Sequence, residues 1–176
     1  MRAPHREIER EGLKSTSVRV AQLRGCDSVN IEVFMAVVSI TRLRVRGWRF
    51  LPVFFIYALR SARQAAKAEG NLATRLLREQ RNTFWTATVW TDEAAMKAFM
   101  LGGVHRKAMP KLLNWCDEAA LVHWTQDGNE LPSWSEAHTR LSEEGRRSKV
   151  NHPSANHTGH KFPEPVVKNR SDIRLK

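Results

Sequence analysis

The stretch Thr83-Phe84-Trp85-Thr86-Ala87-Thr88-Val89-Trp90 limits what this chain can fold into more than any other. Its residues are mostly β-branched or aromatic, so it reads as a strand. Side chains alternate across a strand, which puts Phe84, Thr86, Thr88 and Trp90 on one face and Trp85, Ala87 and Val89 on the other. Both faces carry bulky apolar groups, so this strand belongs in a sheet covered on both sides. Thr91 or Asp92 then caps an apolar-periodic helix, with Asp92 and Glu93 near its positive end. A last strand, Glu118 to Thr125, closes the block. Four of the six tryptophans fall between Trp85 and Trp124. A core must form here.

The remaining elements assemble around it. Val33 to Val45 predicts a first strand, with Ala36, Val38, Ile40 and Arg42 on one face and Val37, Ser39, Thr41 and Leu43 on the other. Gly47 breaks it. A helix starts near Leu51 with Pro52 in its first turn, and Gly70-Asn71 ends it. Leu72 to Arg78 is a second strand, joined to the third by a turn at 79–82. Gly102-Gly103 interrupts the second long helix, which resumes from Val104 to Asn114 with a kink or restart at Pro110. The order is βαββαβ, an α+β, ferredoxin-like arrangement: a four-stranded antiparallel sheet with two helices on one face. The third strand's second apolar face is then expected to meet another copy of the chain, giving a homodimer. Residues 1–30 are expected to be a weakly structured leader, or an upstream extension outside the native protein. Residues 31–127 form the core domain, 128–145 a C-terminal helix capped by Ser133 or Ser135, and 146–176 a basic extended or disordered tail.

The chain has 176 residues, a formal charge of +11 and a pI near 10.5. The core block is nearly neutral, and the excess charge lies in the flanks. That pattern fits a solvated basic surface and argues against a nucleic-acid groove. Cys26 and Cys116 form no CxxC pair, which fits a reducing, cytoplasmic setting. The apolar runs 33–40 and 50–59 are each far shorter than the roughly 20 residues that span a bilayer, so no membrane segment is expected.

No GxGxxG, P-loop, GxSxG or HExxH occurs. Asp117 and Glu118 follow Cys116 and raise its thiol pKa, which disfavours a nucleophile. His105 beside the double-glycine break can act as base, ligand or donor. His123 shares an apolar strand face with Ala119 and Leu121. Trp85 and Trp90, with Trp115 and Trp124, pack a core or line a pocket for a flat apolar ligand. Arg42, with Arg44 and Arg46, either ends a strand in solvent or contacts substrate at a cleft mouth. His152, His157 and His160 lack a metal-ligand framework, so no metal site is assigned.

The run Phe84 to Met100, followed by Gly103-Val104-His105-Arg106, resembles the antibiotic-biosynthesis-monooxygenase-like proteins and the related DUF3291 and spheroidene-monooxygenase-like groups. The resemblance covers residues 33–125. It implies a dimeric α/β barrel and a monooxygenase-type oxidoreductase that binds a small apolar or aromatic molecule between sheet and helices. It carries over His105 as a pocket residue, and His105 is the candidate catalytic base. Arg42, Trp85, Trp90 and His123 are the candidate substrate contacts in that setting. Cofactor-free chemistry is the expectation, with haem binding as the alternative cofactor. A non-catalytic ligand-binding or interaction module is the alternative outside enzymes.

Overall fold

The computed structural model describes residues 35–168 and 171–176. The expected leader at 1–30, Cys26 and the start of the first strand at Val33 lie outside the described residues. Strand β1 (Met35–Val45) sits in the middle of an antiparallel sheet. It pairs with β3 (Thr83–Trp90) on one side and β4 (Cys116–Asp127) on the other, so that Ile40 lies level with Ala87 and with Val122. β2 (Asn71–Arg78) pairs with the outer side of β3. These four strands carry the ferredoxin-like order.

Two more strands extend the sheet: β5 (Arg146–Arg147) beside β4 and β6 (Asp172–Arg174) beside β2. The sheet therefore has six strands, in the order β5-β4-β1-β3-β2-β6, where four were expected. Strands of two and three residues are too short to show an alternation in sequence.

Helices α1 (Leu51–Lys67), α2 (Glu93–Leu101) and α3 (Gly103–Trp115) cover one face. Asp92 caps α2 by accepting the Ala95 N–H at 2.8 Å. Pro110 sits inside α3, which continues as one helix to Trp115. Helix α4 (Trp134–Glu143), capped by Ser133, packs on the opposite face with the chain that follows it. There Trp134, Ala137, Leu141 and Phe162 close over Ala36, Val38, Ile40, Trp85, Ala87, Val89, Val122 and Trp124.

The face expected to meet a second subunit is thus filled by the chain's own C-terminal part, and helices lie on both faces rather than one. Residues 146–176 carry β5, β6 and the short helix α5 (Ala155–Gly159) in place of a structureless tail. A buried ionic cluster fastens this cover. Arg42 and Glu118, 2% and 0% exposed, form an ion pair. Arg44 reaches Glu118 at 2.8 Å, and Ser154, at the head of α5, donates to Glu118 at 2.9 Å. At the β2 edge, Arg75 Nε donates to Asp172 at 2.7 Å and Trp134 Nε1 donates to the same carboxylate at 3.1 Å. Among the described residues no helix is long and apolar enough to cross a membrane.

Candidate functional site

The site follows from a conflict on the helix-covered face. Residues that point toward packed helices are ordinarily apolar. Here β1 presents Ser39 and Thr41, and β3 presents Thr86 and Thr88. Register brings them together, Ser39 level with Thr88 and Thr41 with Thr86. β4 adds His123 beside Ser39 and Leu121 beside Thr41. Over this polar floor α1, α2 and α3 do not close completely. They leave an open cavity of about 510 Å³, walled by Phe54, Phe84, Met96, Phe99, Leu112 and other apolar side chains. That volume is within the range of small-molecule pockets.

His105 lines this cavity from the first turn of α3. Its position is set by Gln64 of α1, which spans the double-glycine break. The Gln64 carbonyl oxygen accepts the N–H groups of Val104 (2.7 Å) and His105 (3.2 Å), and its amide donates to the Gly102 carbonyl at 3.2 Å. Gln64 thereby does for α3 what an N-cap side chain does elsewhere. The break must stay glycine: Gly103 has φ +53°, and a Cβ there would sit 2.6 Å from the Gln64 oxygen.

The His105 ring has a defined chemistry. Its Nδ1 lies 3.0 Å from the Met100 carbonyl. A carbonyl only accepts, so the proton of the neutral ring is on Nδ1 and the Nε2 lone pair is free. Burial pushes the His105 pKa below its ordinary value, with the Met100 hydrogen bond opposing. The ring packs 4.6 Å from Phe99, which stacks on Trp90 at 5.2 Å. Trp90 is itself satisfied, its Nε1 donating to Thr88 at 2.9 Å. His123 lines the same cavity, and its pKa is lowered by burial first and then by Arg146, against Glu93. His105, His123 and Trp90 therefore meet in one cavity.

Trp85 borders the cavity, but its ring, like Arg42, packs on the other face of the sheet. Arg42 points to the opposite side of the sheet, into the ionic cluster, with its guanidinium 4.7 Å from the Phe162 ring. The Trp85 side chain is also on that side, 6.4 Å from Trp134, with its Nε1 donating to Glu79 at 2.6 Å. The strand pattern already contained this result, since Arg42 follows Ala36, Val38 and Ile40 on one face and Trp85 opposes Phe84. Burial pushes the Cys116 thiol up to about 12, with Asp117 adding to the shift. His157 accepts the Ala119 N–H at 3.4 Å and His160 lies beside the Leu141 carbonyl, so these two histidines serve the cover.

Some site residues went unread in the sequence. The Ser-x-Thr and Thr-x-Thr hydroxyls on core-facing positions were a usable signal. Ser61 and the C-terminal residues Ser148, Lys149, Ser171 and Ile173, which frame the cavity, gave none, nor did Gln64, which positions His105, because their roles rest on tertiary contacts. The Ser61 hydroxyl is a buried side-chain oxygen with no partner among the described residues.

A family model described as a domain of unknown function, DUF3291, matches residues 57–168. No curated protein matches the chain. Among solved structures, it is similar to a conserved protein from Methanosarcina mazei Go1 at 15% identity and a TM-score of 0.46, over 52% of this chain and 92% of that one. A protein of unknown function from Nitrosomonas europaea gives 16% identity and a TM-score of 0.47, over 57% of this chain and 97% of that one. A variant of SnoaB, a cofactor-independent oxygenase from Streptomyces nogalater, gives 22% identity and a TM-score of 0.42, over 54% and 94%.

Proposed function

The chain belongs to the DUF3291 family, whose description assigns no activity, and from its own geometry we propose that it binds a small apolar or aromatic molecule between sheet and helices and oxidises it as a monooxygenase. One observation carries this reading: an apolar-walled cavity of about 510 Å³ into which a neutral histidine is set. The substrate fitting such a site has an acidic C–H bond conjugated to its aromatic body. His105 Nε2 takes that proton, leaving a stabilised carbanion. The carbanion passes one electron to O2, and the two radicals combine into a peroxide. Protonation and loss of water leave a new carbonyl, so one oxygen atom enters the product and the other leaves as water. The apolar walls keep bulk water from protonating the carbanion.

The test is oxygen consumption by the purified protein with a panel of aromatic substrates bearing an activated CH2 group. His105→Ala is expected to lower kcat by about 10²-fold or more, the usual scale of a lost general base, with bound substrate still detectable. Turnover unchanged in His105→Ala overturns the role of His105. No turnover across the panel, with ligand still bound, leaves the non-catalytic binding module.

A haem-binding reading has one specific observation in its favour. A histidine whose Nδ1 donates to a backbone carbonyl is oriented as metal-ligating histidines are, so His105 would hold a haem iron through Nε2. Bound haem would supply the activation of oxygen. A Soret band that grows on haem titration and is lost in His105→Ala supports it.

A further inference from the structure

The cavity carries, among the described residues, one sign of formal charge. Among the described residues, the charged side chains that frame it are Arg78 and Lys149, and no Asp or Glu lines it. Neither cation forms an ion pair with a described residue. A pocket for a neutral molecule has no need of such a bias, and one for a cation would show the opposite.

The two cations approach the cavity from opposite ends of the sheet. Arg78 on β2 is level with Phe84 on β3, Phe84 with Leu43 on β1, and Leu43 with Ala119 on β4. The Ala119 carbonyl accepts the Ser148 N–H at 2.8 Å. Arg78 and Lys149 therefore lie at opposite ends of a row that crosses four strands, roughly 15 Å of sheet. Each is therefore a separate candidate for binding a head group.

Their surroundings differ. The Arg78 guanidinium lies over the Phe55 ring at 5.0 Å. Phe55 meets Phe84 at 5.2 Å, and Phe84 meets Phe54 at 4.8 Å, so three rings lead from Arg78 into the cavity. Stacking holds the planar fork in place while its N–H donors stay available, the arrangement that suits a carboxylate. Lys149 is an exposed, flexible amine with no comparable support.

Resting on the reading of this cavity as a ligand pocket, we propose that its ligand is an apolar or aromatic carboxylic acid. The carboxylate is held by Arg78 at the β2 mouth, and the apolar body runs inward over Phe55, Phe84 and Phe54. Arg78 is a specificity-determining contact, and Lys149 is not.

The experiment is calorimetric titration of the full chain with decanoate, decanol and decylammonium at neutral pH. These share one apolar body and differ in head charge. Decanoate is expected to bind about tenfold or more tighter than decanol, and decylammonium more weakly than either, on the scale of one charge-assisted contact. Arg78→Gln should bring decanoate down to the level of decanol, while Lys149→Gln leaves the ratio unchanged. Arg78 is exposed, so the variant is expected to fold. Equal binding of the three probes overturns the proposal, as does a decanoate preference that survives Arg78→Gln. Binding of none of them overturns the pocket reading itself and the proposal with it.

Discussion

The two faces of this sheet solve different problems with the same strands. On one, Ala36, Val38 and Ile40 of β1 meet Trp85, Ala87 and Val89 of β3 and Val122 and Trp124 of β4, nearly all of them fully buried under the C-terminal cover. On the other, the intervening residues are Ser39, Thr41, Thr86 and His123, half-buried beneath helices that stand off from them. The first face is packed for stability. The second gives up apolar contact and keeps a cavity. Polar groups placed where a core would favour apolar ones mark a site, because stability alone does not select them.

That contrast can be broken most severely at Glu118. It is the buried carboxylate that neutralises Arg42, and Glu118→Ala leaves a buried guanidinium without its partner. The expected loss is about 3–5 kcal/mol in denaturant unfolding. A loss near the surface-pair scale, below about 1 kcal/mol, would show that the cluster is not holding the cover down.

A mirrored pair of substitutions sharpens the comparison. Ile40→Thr puts a hydroxyl into the packed face and should cost about 2–3 kcal/mol. Thr41→Val, one residue along and on the other face, should change stability by less than about 1 kcal/mol while weakening ligand binding. If both substitutions cost the same, the faces are not different in kind.

The smallest effect is the dependence on pH. His105 has a folded-state pKa below its ordinary value of 6.5 because it is buried. The unfolded chain therefore takes up the proton first as the pH falls, and the stability that His105 contributes is present above 6.5 and lost below it. The denaturant midpoint should fall between about pH 7 and about pH 5, and less so in His105→Gln. His123 and His157 shift in the same direction, so the variant should reduce the acid loss without removing it.

Most of the framework was legible in the sequence because it depends on local periodicity. The β3 alternation, the capped start at Asp92 and the break at Gly102-Gly103 all appear at their expected places. The covering of the second face was not legible. Trp134, Leu141 and Phe162 do that work from widely spaced positions in a polar, proline-bearing segment, and their contacts are tertiary. His105, His123 and Trp90, each legible in the sequence as a candidate, line one cavity. The alternation alone puts the Arg42 and Trp85 side chains on the face that the C-terminal part covers. Gln64 lies about 40 residues from the N–H groups it binds, and no pattern connects them.

The pairing of β6 with β2 has a consequence for how the protein is made. Arg75 and Asp172 are 97 residues apart. The β2 edge can be completed only after residue 174 has emerged from the ribosome, and the cover that shields Trp85 is itself made late. During synthesis the most apolar face of the sheet stands open to water and to other chains. Contacts so distant in sequence also form slowly. Nascent chains stalled before Trp134 should therefore be bound by chaperones that recognise exposed apolar strands, and released once the last segment is in place.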